Sequence, residues 1–242
     1  MTITTDNAAV LLIAGHWLGA WAWDEVADHL TTAGFRAIPM TLPGLDERDA
    51  HRTARTLDDQ VAAIETVVAA EDRPVVVVAH SGANAPVSVV LDRRADLVRQ
   101  VVWVDSGPVA PGTVFAPDLP AEVDELPLPP FDALAAQASL EGLSSEILQR
   151  FRERAVPEPG PVLRAPVELT NDARLRVPTT LVCCSLPGAR VAELARAGHP
   201  MFAEVASLEQ AEFVDLPTGH WPMWSRPAEL ATLIAAAASP AE

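Results

Sequence analysis

Strand and helix patterns alternate along the first 107 residues of this 242-residue chain. Short apolar runs typical of buried strands occupy residues 10–14, 35–40, 75–79 and 101–104. Apolar side chains recur at helical spacing in residues 21–30, 57–70 and 86–91. Because strands that are joined through helices usually run parallel, this order predicts an α/β fold with a mostly parallel central sheet and helices on both faces.

The alternation stops at residues 108–166, which contain 11 of the 22 prolines. Proline at this density prevents long regular elements, and only residues 144–154 keep a helical pattern. Strand patterns return at residues 179–184 and 212–216, and a last helix is predicted over 227–237. We therefore predict one core, formed by residues 1–107 and 167–242, with an inserted proline-rich cap at residues 108–166, called the cap segment below.

Composition excludes several classes of function. The chain has 33 acidic residues against 17 basic ones, all arginine, and a net charge of −16, which argues against nucleic acid or an anionic membrane as a partner. Residues 1–7 are polar without arginine, unlike a signal peptide, and Cys183 and Cys184 are adjacent, which is poor geometry for a disulfide. A cytoplasmic location is expected. The absence of lysine excludes an amine nucleophile.

The most informative stretch is the turn around Ser81, which follows the apolar run at residues 75–79 and precedes a predicted helix. Such a strand–turn–helix can expose a serine hydroxyl at the carboxyl edge of the sheet, provided that the residues two before and two after it are small. Here both are alanine, Ala79 and Ala83, where glycine is usual. The sequence thus favours Ser81 as a nucleophile over a serine that merely caps a helix.

Two further stretches suit the same chemistry. His220 follows the last predicted strand, and a neutral imidazole within about 3 Å of a serine can accept its proton. Gly15 and His16 follow the first predicted strand, where backbone N–H groups can face the serine. We predict that the backbone N–H groups of His16 and Gly82 bind the oxyanion of a tetrahedral intermediate.

These stretches resemble the α/β-hydrolases, and within them the branch of plant methyl-ester esterases and hydroxynitrile lyases. The similar segments are residues 15–23, 42–44, the turn around Ser81, and residues 219–223; the cap segment is not covered. The resemblance implies an α/β-hydrolase fold with an inserted cap and a serine–histidine site. The hydroxynitrile lyases of this branch use a cap lysine, which this chain lacks, and serine at the turn disfavours the aspartate-nucleophile dehalogenases and epoxide hydrolases.

The chain departs from the family in two places. Ala14 replaces a histidine that commonly supports the loop after the first strand. Residues 183–190, where the family usually places the aspartate of its triad, contain no carboxylate. Two acids remain as candidates: Asp105, at the carboxyl end of the fourth predicted strand, and Glu193, on a predicted helix. A site without any carboxylate is the third alternative.

The sequence as a whole favours a hydrolase that cleaves an ester or thioester of a small, largely apolar substrate through Ser81, His220 and Asp105. Trp17 and Trp221 flank these residues and are expected to line the substrate pocket. The sequence contains no nucleotide or phosphate-loop motif and no metal-ligand cluster, so no cofactor and no metal are expected. A ligand-binding protein on the same scaffold, a lyase and a cyclisation catalyst are the alternatives, and a homo-oligomer stays open.

Overall fold

A computed structural model describes residues 8–239. Residues 1–7, which the sequence distinguishes from a signal peptide, lie outside the described residues. The strands are β1 (Ala9–Ile13), β2 (Arg36–Met40), β3 (Val75–His80), β4 (Val98–Val104), β5 (Glu125–Leu126), β6 (Glu158–Pro159), β7 (Thr179–Cys183) and β8 (Ala211–Asp215). The helices are α1 (Asp24–Thr32), α2 (Leu57–Ala69), α3 (Asn84–Arg94), α4 (Phe131–Ala135), α5 (Ser145–Arg154), α6 (Gly160–Arg164), α7 (Gly188–Arg196), α8 (Pro222–Ser225) and α9 (Pro227–Ala238).

The predicted parallel sheet is confirmed. Six strands pair in the order β2-β1-β3-β4-β7-β8, and every pairing between them is parallel. The chain runs from β1 outward to β2 and then crosses back to β3 on the other side of β1. The loops that leave β1 and β3 therefore diverge at the carboxyl edge, which is the place where open α/β sheets form ligand-binding crevices.

Alternate side chains of each central strand point to opposite faces of the sheet, and helices bury both faces. On one face Leu11 and Val77 pack against α2 and α3; on the other Leu12 and Val78 pack against α1 and α9. All six residues of β3 are buried, as expected for a strand covered on both sides. The ends of β3 and β4 are therefore anchored in the core at the carboxyl edge of the sheet.

The cap segment has little regular structure, in line with its proline content. Its strands β5 and β6 have two residues each and pair antiparallel, and its helices α4 and α6 have five each. Only α5, with ten residues, is longer, and it occupies the predicted helical stretch. Within residues 8–239, none of the helices has the length and apolar character needed to cross a membrane.

Candidate active site

The sharp turn between β3 and α3 places Ser81 at the carboxyl edge of the sheet. Ser81 has φ +52, in the left-handed region that residues with a Cβ rarely adopt. Ala79 and Ala83, on either side of the turn, are both buried, so the small side chains lie where strand and helix come closest. Conformations of this kind persist where the surroundings impose them, and they are concentrated at functional sites.

His220 lies within hydrogen-bond distance of this serine. Its Nε2 is 2.8 Å from Ser81 Oγ, although the two residues are 139 positions apart in the chain. The His220 backbone N–H donates to the carbonyl of Ser139 in the cap segment at 2.8 Å, which helps to hold the loop after β8. The imidazole can therefore accept the serine proton without any rearrangement of the loop.

Asp105 is the carboxylate that contacts the other side of the imidazole. Its Oδ2 is 2.6 Å from His220 Nδ1, and like Ser81 it has a left-handed φ, +42. Burial alone would raise the pKa of Asp105, but the hydrogen bonds from His220 and Ser185 outweigh it and lower the pKa to about 2. The ionised carboxylate can only accept hydrogen bonds, so His220 Nδ1 carries the proton and Nε2 is free to accept the one from Ser81.

The loop without a carboxylate, residues 183–190, supplies the groups that hold Asp105. Asp105 Oδ1 accepts hydrogen bonds from the backbone N–H groups of Cys184 at 3.1 Å and Ser185 at 2.9 Å. The Ser185 hydroxyl donates to Oδ2 at 2.7 Å. Glu193, the other candidate acid, is 61% exposed on α7 and forms an ion pair with Arg190 instead. The structure thus brings Asp105, and not Glu193, to His220.

The loop after β1 passes very close to the turn at Ser81. A Cβ on Gly15 would lie 2.7 Å from the Cβ of Ser81 and 2.9 Å from the Gly82 nitrogen, so only glycine fits there. Among residues 8–239, the backbone N–H groups of His16 and Gly82 make no hydrogen bond. Both amides are therefore available to a ligand oxygen beside Ser81.

His80 connects this loop to the loop of His220. Its Nδ1 accepts a hydrogen bond from the Gly15 N–H at 3.3 Å, so the proton is on Nε2, which donates to the His220 carbonyl at 2.8 Å. Burial, followed by the repulsion of a charged His220, lowers the pKa of His80 to about 3. His80 is thus neutral at ordinary pH, and its two hydrogen bonds link the loops on either side of Ser81.

A cavity of about 900 Å³ opens above Ser81. Both tryptophans singled out in the sequence, Trp17 and Trp221, line it, together with His16, Ser81 and His220. This volume is at the upper end of the range usual for small-molecule sites, about 300–1,000 Å³. The cavity can therefore enclose a whole organic molecule of moderate size.

Cys183, which also lines the cavity, differs from Ser81 in its reactivity. Burial, with a smaller contribution from Asp215 and Asp105, raises the pKa of the Cys183 thiol to about 12. Burial also raises the pKa of Cys184, and both thiols are free. A thiol is a nucleophile only when ionised, so neither cysteine competes with the serine at neutral pH.

Sequence reasoning missed three residues that surround this arrangement: His80, Ser185 and Glu158. His80 has a visible signal, because it lies immediately before Ser81 at the end of a buried strand. The hydroxyl of Ser185, in a loop that lacks the expected carboxylate, is a weaker signal. Glu158, on β6, contacts the loop after β1 and has no sequence signal, since 141 residues separate it from Trp17.

Comparisons with known proteins identify the family of this chain and structures with the same fold. The sequence profile of the alpha/beta hydrolase family matches residues 10–233, so the chain belongs to that family. The structure is similar to an extracellular alpha/beta-hydrolase from a Paenibacillus species, with a TM-score of 0.75, 18% identity, and 96% of this chain and 100% of that chain covered. It is also similar to a methylesterase from Arabidopsis, with a TM-score of 0.71, 16% identity, and coverage of 95% and 98%.

Among curated proteins, the carbendazim hydrolyzing esterase of Nocardioides sp. (strain SG-4G) is 30% identical over 102 residues. That match spans 41% of this chain and 42% of the relative, so it covers less than half of either protein. The family assignment therefore depends on the profile, and the structural similarities, all below 20% identity, show the shared fold.

Proposed function

We propose that this protein is a cofactor-free serine hydrolase that cleaves an ester or thioester of a small, largely apolar substrate. The observation that carries the proposal is the hydrogen-bonded chain from Ser81 through His220 to the ionised Asp105, with the serine exposed at a cavity. The esterase among the curated relatives supports the same reaction class. A cytoplasmic location and the oligomeric state stay predictions.

The geometry supports a two-step acyl transfer. Ser81 Oγ attacks the substrate carbonyl carbon while His220 Nε2 takes the hydroxyl proton, and the developing oxyanion accepts hydrogen bonds from the N–H groups of His16 and Gly82. Asp105 stabilises the imidazolium that forms. The carbon–oxygen or carbon–sulfur bond then breaks, the leaving alkoxide or thiolate takes the proton from His220, and an acyl-serine remains.

The second step regenerates the serine. His220 removes a proton from water as the water oxygen attacks the acyl carbonyl, and the same two N–H groups bind the second oxyanion. When that intermediate collapses, the bond to Ser81 Oγ breaks, the serine regains its proton from His220, and a carboxylic acid leaves. The residues named here carry every proton transfer.

The rim of the cavity supports an apolar substrate. The large hydrophobic side chains that are exposed within residues 8–239 are Phe115 at 56%, Leu186 at 40% and Met201 at 71%, and all three line this cavity. Exposed apolar side chains around one cavity are typical of a site that binds apolar ligands. An ester whose acyl or alcohol part is apolar would cover these side chains when it binds.

The decisive experiment is covalent labelling with a fluorophosphonate probe followed by intact-protein and peptide mass spectrometry. We expect one adduct, on Ser81, and no adduct in Ser81→Ala; the exposed Ser145→Ala is the matched control and should label like the wild type. Turnover of p-nitrophenyl butyrate should be lost in Ser81→Ala alone. A wild-type protein that is not labelled and has no esterase activity would favour the ligand-binding alternative.

A further inference from the structure

The loop after β1 has an unusual conformation at Trp17, whose φ is +66. A bulky side chain in the left-handed region is strained, and such a conformation persists only where several contacts impose it. Trp17 directly follows His16, whose backbone N–H is one of the two proposed oxyanion donors. Whatever holds Trp17 in this conformation therefore also orients that donor.

The contacts that hold Trp17 come from the cap segment. The Val156 N–H donates to the Trp17 carbonyl at 3.0 Å, and the Trp17 indole N–H donates to the Leu126 carbonyl at 2.9 Å. The Trp17 backbone N–H donates to Glu158 Oε2 at 3.4 Å. Leu126 and Glu158 are paired across β5 and β6, so the small sheet of the cap segment holds the loop at several points.

Glu158 is a buried carboxylate that takes no part in the hydrogen bonds between Ser81, His220 and Asp105. It is 2% exposed, and its Oε2 lies 3.1 Å from His16 Nδ1. Its Oε1 accepts a hydrogen bond from the side-chain amide of Gln60 on α2 at 3.3 Å. Because burying a carboxylate is costly unless its oxygens are hydrogen-bonded, these partners and Trp17 hold Glu158 in one orientation.

The His16 imidazole lies between Glu158 and Gly82, the residue whose N–H is the second proposed oxyanion donor. Its ring lies against Gly82, where an added Cβ would come within 2.3 Å of His16 Nε2. The ring is also in edge contact with Phe115 of the cap segment, at 4.1 Å between ring centroids. Glu158 thus restrains the ring through Nδ1, and the ring packs on the residue whose N–H is the other proposed oxyanion donor.

We infer that Glu158 is a positioning residue: through His16 and Trp17 it holds the loop after β1 so that the N–H groups of His16 and Gly82 point to one oxyanion. This inference rests on the proposed function, because those amides matter only if Ser81 attacks a carbonyl. It means that the cap segment completes the oxyanion site as well as covering the cavity. The two N–H groups stabilise the transition state more than the bound substrate. Misplacing them should therefore lower kcat and leave KM nearly unchanged.

The test compares Glu158→Gln with Glu125→Gln, the same isosteric change on the adjacent strand β5. The Glu125 side chain forms an ion pair with Arg52, whereas the Glu158 side chain contacts His16 and Trp17. Removing one oxyanion donor outright costs about 10²–10³ in kcat, so misplacing donors in Glu158→Gln should lower kcat for p-nitrophenyl butyrate at least about tenfold, with KM within about twofold. Glu125→Gln should change neither constant by more than about twofold.

A second measurement does not depend on turnover. In ¹⁵N–¹H spectra, the amide resonances of Gly15, His16 and Gly82 should move in Glu158→Gln and keep their positions in Glu125→Gln. Equal kcat values and equal spectra for the two variants would overturn the inference. A wild type without any esterase activity would refute the proposed function instead, and the spectra alone would then decide the role of Glu158.

If Glu158→Gln does not fold, His16→Phe removes the contact between His16 Nδ1 and Glu158 Oε2 from the other side, while keeping an aromatic ring and the backbone N–H. A lower kcat with an unchanged KM in that variant would support the inference, and an unchanged kcat would overturn it.

Discussion

The core and the cap segment both line the cavity, but they position their groups by different means. Ser81 and Asp105 directly follow β3 and β4, which are adjacent in the sheet and hydrogen-bonded along their length. The cap segment contributes Phe115 and Leu134 from stretches with very short regular elements. The proposed reacting groups thus directly follow rigid strands, whereas part of the apolar cavity wall lies on a segment that tolerates change.

This difference has a consequence for mutation. Changes at the sheet edge should abolish the chemical step, because their partners sit at fixed hydrogen-bond distances. Changes at the apolar rim should alter binding by small factors, because several side chains share that contact. Glu158 is the exception that we infer: it lies in the cap segment, but it contacts His16 and Trp17, next to the proposed oxyanion donors.

The largest effect is expected at His220. His220→Ala removes the group that accepts the Ser81 proton, and the loss of one member of such a unit can lower kcat by about 10⁶-fold. The exposed His199→Ala is a matched control and should keep its activity. Initial rates with p-nitrophenyl butyrate, with circular dichroism to check the fold, measure both. Activity above about a tenth of wild type in His220→Ala would exclude it as the base.

Asp105→Asn should have the next largest effect. Asparagine keeps the size of the side chain but no longer selects the correct imidazole tautomer, and this loss can cost about 10⁴ in kcat. Glu193→Gln is the control and should be nearly silent, because Glu193 is exposed and pairs with Arg190. Steady-state kinetics of the two variants decide the acid. A reversed pattern would transfer the role to Glu193, and two silent variants would leave a serine–histidine dyad.

His80 should make the free energy of unfolding depend on pH. Its folded pKa, about 3, lies below its ordinary value of 6.5, so the unfolded chain binds a proton that the folded chain does not. Stability is therefore lost as the pH falls from 6.5 towards about 3, by up to about 1.4 kcal/mol per pH unit. Glutamine can replace both hydrogen bonds without titrating, so His80→Gln should flatten this dependence in urea unfolding between about pH 6.5 and 4.5.

The contributions of His80 and Asp105 to the free energy of unfolding change over different pH ranges. Asp105 has a lowered pKa of about 2 against an ordinary 3.8, so its contribution to stability is lost only as the pH falls from about 4 towards 2. Asp105→Asn should leave the slope above that window unchanged. A wild type and a His80→Gln variant with the same slope between about pH 6.5 and 4.5 would contradict the neutral, buried state of His80.

The smallest effect is expected at the rim. The Phe115 side chain is 56% exposed, so little apolar surface is lost on truncation, and Phe115→Ala should raise KM a few-fold and leave kcat within about twofold. The increase should be greater for p-nitrophenyl octanoate than for the acetate, because a longer acyl chain covers more of the rim. An equal change for both esters would mean that Phe115 does not contact the acyl chain.

Much of the fold could be predicted because its signals are local. The strand and helix patterns of the core are confirmed to within a few residues, including α2 at Leu57–Ala69 and α9 with proline in its first turn. Short elements were not predicted: α4, α6 and the β5–β6 pair have too few residues to show a period. The helix α7 was anticipated only through the placement of Glu193.

The sequence by itself determined the class of fold and predicted two residues of the candidate site, Ser81 and His220, because a strand–turn–helix and a loop after the last strand are recognisable from neighbouring residues. Only the tertiary structure decided which acid reaches His220. The hydrogen bond from the Asp105 N–H to the Val182 carbonyl, at 2.8 Å, continues the pairing of β4 with β7 and brings Asp105 beside Ser185. Register between strands about 80 residues apart depends on the packing of the whole core, and no local pattern encodes it.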